Sequence, residues 1–181
     1  EFRRVLFRSG FGRADLLSLS FLGRREDLVL MGDVGTGKTH MLEAICSLCC
    51  QQMRPARFFT ASSLVMRLRR ARDAGSLDRE LSQLAKADIL GIDELGFLPL
   101  DNDGARLLFQ VISESYERQS LVITTNLEFA RWGAVFGDDQ MAAAVIDRIC
   151  HHGRLLKFSG ESWRMRHALI SGEGTPEGQL A

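Results

Sequence analysis

The apolar run Leu28–Val29–Leu30–Met31 opens directly into Gly32–Asp33–Val34–Gly35–Thr36–Gly37–Lys38–Thr39, and a helical apolar pattern runs on from Thr39 to about Gln52. This is strand, glycine-rich loop, helix. The loop matches G-x-x-x-x-G-K-[ST] in full, and the strand-to-helix context makes the match specific. Glycines let a backbone wrap closely, so successive N–H groups and a helix N-terminus can point at phosphates. Lys38 is expected to reach the β- and γ-phosphates of a nucleotide, and Thr39 to offer its hydroxyl to Mg²⁺. His40 follows the motif and is grouped with this loop by position, but is expected to pack along the helix rather than to catalyse.

Outward from that loop, strands alternate with helices. Arg57 to Thr60 reads as a second strand, and Ser62 can cap a helix carrying Leu64, Val65 and Leu68. Asp88 to Asp93 is a third strand. Asn102 or Asp103 can cap the next helix, in which Leu107, Leu108, Val111 and Ile112 form a stripe at helical spacing. Leu121 to Thr125 is a fourth strand. After a glycine-containing loop, Asp138 or Asp139 starts a helix to about Cys150, and Leu155 to Phe158 offers a fifth strand. This alternation predicts an α/β fold with a parallel sheet covered on both faces. The tail from Ser171 is small and polar and is expected to be disordered.

Two further strand ends carry chemistry. Ile89–Leu90–Gly91–Ile92 ends in Asp93–Glu94, at the carboxyl edge where open α/β sheets bind ligands. Asp93 can serve the Mg²⁺ shell, while Glu94 can orient and activate an attacking water. An ordinary strand-to-loop exit would also place acids there, and the pairing with the glycine loop favours the functional reading. The strand Leu121–Val122–Ile123–Thr124–Thr125 ends on Asn126, which is either a turn-initiating Asn or a polar group aimed at the same site.

The set of glycine loop, Asp–Glu strand and strand-terminal Asn resembles the AAA+ class of P-loop ATPases. That resemblance implies a five-stranded parallel sheet flanked by helices, with the Asn strand between the other two and Asn126 holding the lytic water opposite Glu94. Longer stretches are more particular: Asp93–Glu94–Leu95–Gly96–Phe97–Leu98–Pro99–Leu100, Thr125–Asn126–Leu127, Trp132–Gly133–Ala134–Val135–Phe136–Gly137–Asp138, Asp147–Arg148–Ile149 and Gly160–Glu161–Ser162–Trp163–Arg164. Together they resemble the IstB family of insertion-sequence helper ATPases, over about Leu16 to His167. The resemblance implies ATP with Mg²⁺, a homo-oligomer on duplex DNA, and recruitment of a transposase. It also implies Arg148 as an arginine finger acting on a neighbouring subunit's ATP and Arg164 as a second sensor, although either could be a plain surface arginine. Guanidinium suits both roles because it is permanently charged and forked. Helicase loaders of the DnaC type share the architecture and remain an alternative, with single strands and a replicative helicase as partners. A small-molecule kinase would share the loop but should lack the pairing of Glu94 with Asn126. A nucleotide-binding module without turnover is the third alternative.

Composition bounds these expectations. With 181 residues and 45% hydrophobic side chains, the chain suits one domain with a single core. No apolar run reaches the roughly 20 residues of a membrane span, and no signal segment opens the chain, so a cytoplasmic location without membrane partners is expected. Residues 1–9 read as the in-frame translation of a short-read sequencing adapter and are left out of the expected fold, which makes residues 10–170 the ATPase core of a gene truncated upstream. A basic arm for nucleic acid is the other reading of that segment. Without its three Arg and one Glu, the 23 basic and 23 acidic residues become 20 and 22, a net charge of −2. DNA contact is then expected to need a local patch, an oligomer or a segment upstream of Gly10. Arg67, Arg69, Arg70 and Arg72 are such a candidate patch, or else a solvated helix face. Cys46, Cys49 and Cys50 fall in the apolar helical pattern and are expected in the core rather than on a metal, and the adjacent His151 and His152 are expected on different helix faces.

Overall fold

The computed structural model describes Val5–Leu6 and residues 11–160. In chain order these form β1 (Val5–Leu6), α1 (Arg13–Ser18), α2 (Ser20–Gly23), β2 (Asp27–Gly32), α3 (Lys38–Gln51), β3 (Ala56–Thr60), α4 (Ala61–Asp73), α5 (Leu77–Leu84), β4 (Ile89–Leu95), α6 (Asn102–Ser115), β5 (Ser120–Thr125), a 3-10 turn (Phe129–Arg131), α7 (Trp132–Phe136), α8 (Asp139–His151) and β6 (Gly153–Phe158). The sheet order is β1-β6-β2-β5-β4-β3. Its five long strands pair in parallel, as expected, and the strand ending at Asn126 lies between the two that end in the glycine loop and near Asp93–Glu94. Val5–Leu6, outside the expected fold, pairs antiparallel with Phe158 and Lys157. A short apolar segment meets the open edge of β6 there, where unpaired backbone groups accept an added strand.

Side-chain alternation along the strands builds a three-layer core. Leu28 and Leu30 of β2, Val122 of β5 and Leu156 of β6 face one side, and pack with Leu42 and Ile45 of α3. Val29, Ile92 and Ile123 face the other, against Leu64 and Leu68 of α4 and Leu108 and Ile112 of α6. Gly91 marks where α3 crosses β4: a Cβ there would stand 2.9 Å from Leu42 Cδ1, so the bare backbone sets the helix-to-sheet distance.

The boundaries correct several expectations. Thr60, still extended at the end of β3, caps α4 by accepting from the Ser63 N–H, so Ser62 is not the cap. Asp101 caps α6 in the same way through the Gly104 N–H, ahead of Asn102 and Asp103. Asp138 does cap α8. In each case the cap is the last extended residue whose side-chain oxygen reaches back to the first turn. Helices α1, α2, α5 and α7 were not expected. α5 carries Leu77, Leu81 and Leu84 at helical spacing behind two acids in its first turn, a pattern visible in eight residues only. Cys49 is buried and Cys46 half-buried, but Cys50 is exposed because it lies on the solvent side of α3. Burial pushes the Cys46 thiol up to about 12, so it stays protonated and behaves as a small hydrophobe. His151 and His152 meet edge to face at 4.4 Å, since His152 has already left the helix. The tail from Ser171 lies outside the described residues.

Candidate functional site

The glycine loop leaves β2 and enters α3 with Gly35 and Gly37 at positive φ. Gly37 is the N-cap of α3 and has no side chain to occupy the first-turn N–H groups, so these face the loop. A fixed cluster of donors with a helix dipole behind it is the arrangement that receives phosphate oxygens. Lys38 begins the helix, is 9% exposed, and turns its ammonium back over the loop, donating to the carbonyls of Gly32 and Asp33 at 2.7 Å each. His40 faces solvent, 4.0 Å from Glu43, and does not pack in the helix interface as expected, because position three of α3 lies on its outer side.

A hydrogen-bonded chain ties this loop to β4 and β5. Thr39 Oγ1 donates to Asp93 Oδ1 at 3.1 Å, and Thr124 Oγ1 donates to the same carboxylate oxygen. The Glu94 N–H in turn donates to Thr124 Oγ1 at 2.9 Å. Asp93 is 3% exposed, whereas Glu94 is exposed and lies in the left-handed region at φ 59. The cause is a bulge. Ile92 pairs with Ile123 and Leu95 with Thr125, so three steps along β4 match two along β5. One extra residue turns successive carboxylates to different places: Asp93 inward toward Thr39, Glu94 out to solvent beside an apolar groove with Met66, Phe97 and Leu98 on its wall. β4 therefore runs two residues beyond Asp93, not ending on it as its sequence suggested.

Asn126 follows Thr125, which pairs with Met31 on one side and Leu95 on the other. Its exposed side chain thus emerges level with the start of the glycine loop and the far side of the bulge. Lys38, Thr39, Asp93, Glu94 and Asn126 are brought to one edge. Thr39 and Asp93 supply hard oxygen donors 3.1 Å apart, a set that suits Mg²⁺.

Arg148 is not at that edge. It lies in the last turn of α8, which leads into Gly153, and Gly153 pairs with Asp27 at the opposite end of β2 from the glycine loop. A length of β2, roughly 16 Å at 3.3 Å per residue, separates the two ends. Its guanidinium donates to the Ala144 carbonyl and sits 5.0 Å from the centre of the Phe109 ring. Arg164 lies outside the described residues. On α4, Arg67 pairs with Glu80, Arg69 with Asp101, and Arg72 with Asp73 and Asp103. Three of the four basic groups are thus held by carboxylates of the same chain, which favours the solvated face over a phosphate-binding patch. The sequence reading missed Thr124 and Thr125. Two successive hydroxyls after the apolar run Leu121–Val122–Ile123, just before Asn126, are the signal that would have found them.

The model of the IstB-like ATP binding protein family matches residues 13–171. The chain belongs to this family. It is 39% identical over 159 residues to the ATP-binding protein of insertion sequence IS5376 from Geobacillus stearothermophilus, covering 88% of this chain and 63% of that protein. It is 35% identical over 169 residues to the IS21 counterpart from Pseudomonas aeruginosa, covering 92% and 64%. The IstB-like chain thus spans about three fifths of the length of these relatives. Among solved structures, the DnaC helicase loader superposes with a TM-score of 0.68 at 24% identity, over 81% of this chain and 89% of that one. Replication initiator DnaA, bound to AMPPCP and single-stranded DNA, gives 0.64 at 16% identity, over 83% and 48%. These two likenesses establish the fold, a P-loop NTPase of the AAA+ type.

Proposed function

We propose that this IstB-like chain binds ATP with Mg²⁺, hydrolyses it within a homo-oligomer on duplex DNA, and thereby assists a transposase. The observation that carries the ATP part is the single hydrogen-bonded chain from Thr39 through Asp93 and Thr124 to Glu94, which joins the glycine loop to the two strands beside it. In this reading the first-turn N–H groups of α3 receive the phosphates, and Lys38 exchanges its two loop carbonyls for phosphate oxygens. Thr39 and Asp93 hold Mg²⁺, which when bound neutralises charge on the phosphate oxygens. Glu94 orients water and accepts its proton, with Asn126 fixing that water from the neighbouring strand.

Arg148 acts in trans in this proposal. Its place at the edge remote from its own loop supports that assignment, since it cannot serve the ATP of its own subunit from there. The second-sensor role of Arg164 rests on family membership alone. DNA and transposase partners rest on family membership.

The test is phosphate release by the chain with duplex DNA, single-stranded DNA or none. Lys38→Ala and Glu94→Gln should each abolish a turnover that duplex stimulates. Mixing Glu94→Gln with Arg148→Ala, each silent alone, should restore activity through mixed interfaces. Stimulation by single strands alone would instead favour the helicase-loader reading, and mixtures that stay silent would count against Arg148 in trans.

A further inference from the structure

We infer that Thr124 is a positioning residue, whose one hydroxyl sets the places of both Asp93 and Glu94. The inference begins with the bulge: β4 holds one more residue than β5 between the Ile92–Ile123 and Leu95–Thr125 pairs. A bulge disturbs the backbone ladder, and two hydroxyls of β5 take up groups of β4 there. Thr124 Oγ1 accepts from the Glu94 N–H at 2.9 Å, and Thr125 Oγ1 donates to the Leu95 carbonyl at 2.8 Å. A threonine hydroxyl has one hydrogen and two lone pairs. At Thr124 the hydrogen goes to Asp93 Oδ1 and a lone pair takes the Glu94 N–H, so a single atom holds two consecutive residues of β4.

Three features make this more than strand packing. Glu94 adopts φ 59, a conformation that costs a non-glycine residue on the order of 1–2 kcal/mol and persists only where neighbours impose it. Thr124 is 2% exposed, so no water easily replaces it. Asp93 Oδ1 receives two hydroxyls, from Thr39 on α3 and Thr124 on β5, and of the two only Thr124 also holds the Glu94 N–H. Thr124 also lies two residues before Asn126, which leaves the end of β5, so one short stretch of chain holds the acid and the Glu94 backbone and leads into the amide. Only the effect on hydrolysis rests on the function proposed above; the inference itself concerns hydrogen bonds within this chain.

The test compares Thr124→Val, which keeps the shape and loses the hydroxyl, with Thr124→Ser, which keeps the hydroxyl. In the 181-residue chain, amide hydrogen exchange is expected to speed up on the order of tenfold at Glu94 in Thr124→Val, as for loss of one buried hydrogen bond, while Leu90 deeper in the strand is unchanged. Thr124→Ser should keep the parent's protection. In steady-state hydrolysis, kcat is expected to fall about 100-fold in Thr124→Val with KM for ATP within about threefold, the mark of a misplaced reacting group. Thr124→Ser should recover most of that loss. Unchanged exchange at Glu94 in Thr124→Val would overturn the inference, as would turnover within threefold of the parent when Glu94→Gln is silent. If Glu94→Gln itself turns over normally, or the parent chain has no turnover, the hydrolysis reading fails for this chain and the exchange measurement alone decides on Thr124.

Discussion

Asp27 and Asp93 are both almost fully buried, at 6% and 3% exposure, and stand toward opposite edges of one sheet. Asp93, at the edge with the glycine loop, receives hydroxyls from Thr39 and Thr124. Asp27, at the far edge, accepts one backbone N–H, from Leu121 at 2.7 Å. Burial pushes the Asp27 carboxyl up to about 7, against a smaller opposing pull from that N–H. Burial alone therefore says little about a carboxylate's role; the donors around it do. The Asp93 carboxylate shares its hydroxyl donors with the phosphate loop and is placed to meet a cation there, whereas Asp27, with a single donor, is pushed toward its neutral form.

The largest expected effect separates those roles at Asp93. Asp93→Asn keeps an acceptor for both hydroxyls and removes the charge. Its amide N–H₂ needs partners at this buried place, so its unfolding free energy should fall by about 1–2 kcal/mol, whereas Mg²⁺-dependent phosphate release should fall about 1000-fold, equivalent to roughly 4 kcal/mol of transition-state stabilisation. Turnover within tenfold of the parent would remove Asp93 from the metal site and make it a structural acid like Asp27.

At Asp27 the expected effect is on stability, and it depends on pH. The carboxyl titrates near 3.8 when unfolded and near 7 when folded. Below about pH 4 both states hold the proton and this group favours neither. As pH rises from there to 7 the unfolded chain releases its proton first, so stability falls by up to about 1.4 kcal/mol per pH unit, and the loss is complete above 7. Asp27→Asn removes that loss and still accepts from Leu121, but adds an amide N–H₂ in need of partners, at a cost of about 1–2 kcal/mol. The variant should be less stable than the parent by about 1 kcal/mol at pH 4 and more stable by about 3 kcal/mol at pH 8. Urea melts at both values check this, and parallel curves for the two proteins would show that Asp27 is charged in the fold.

What could be read in advance follows the same division. The strands, the long helices and the phosphate loop were legible because each rests on local pattern: Leu28 to Met31 is apolar, Gly32 to Thr39 is a contiguous motif, and the α6 stripe repeats at helical spacing. Asp93 and Glu94 were legible as a pair. Their divergence was not, because the bulge depends on register with β5, which no residue of β4 announces. Thr124 reads as an ordinary β-branched strand residue until the strand order places it opposite Asp93. Asp27 looks like a polar residue before a strand, and its burial arises only when β6 and β5 close around it. Short helices such as α7 escaped because Trp132, Val135 and Phe136 make a stripe only in contact with α8.

The smallest expected effect tests whether the bulge at the functional edge is under backbone strain; the turns at the far edge hold left-handed residues too, Arg25 and Glu117. Glu94 at φ 59 costs on the order of 1–2 kcal/mol, and glycine adopts this conformation freely. Glycine also gives the unfolded chain more freedom, which offsets about 0.5–1 kcal/mol of the relief. Glu94→Gly should therefore be more stable than the parent by about 0.5 kcal/mol, while Glu94→Gln, which keeps its Cβ, should show no such gain. Both lack the carboxylate and neither should turn over. A gain confined to glycine would locate the stored strain in the backbone of the bulge, held there by Thr124 to present a carboxylate. Equal stabilities would mean that β5 imposes the bulge without strain, and that Glu94 is held outward by its hydrogen bond to Thr124 at no backbone cost.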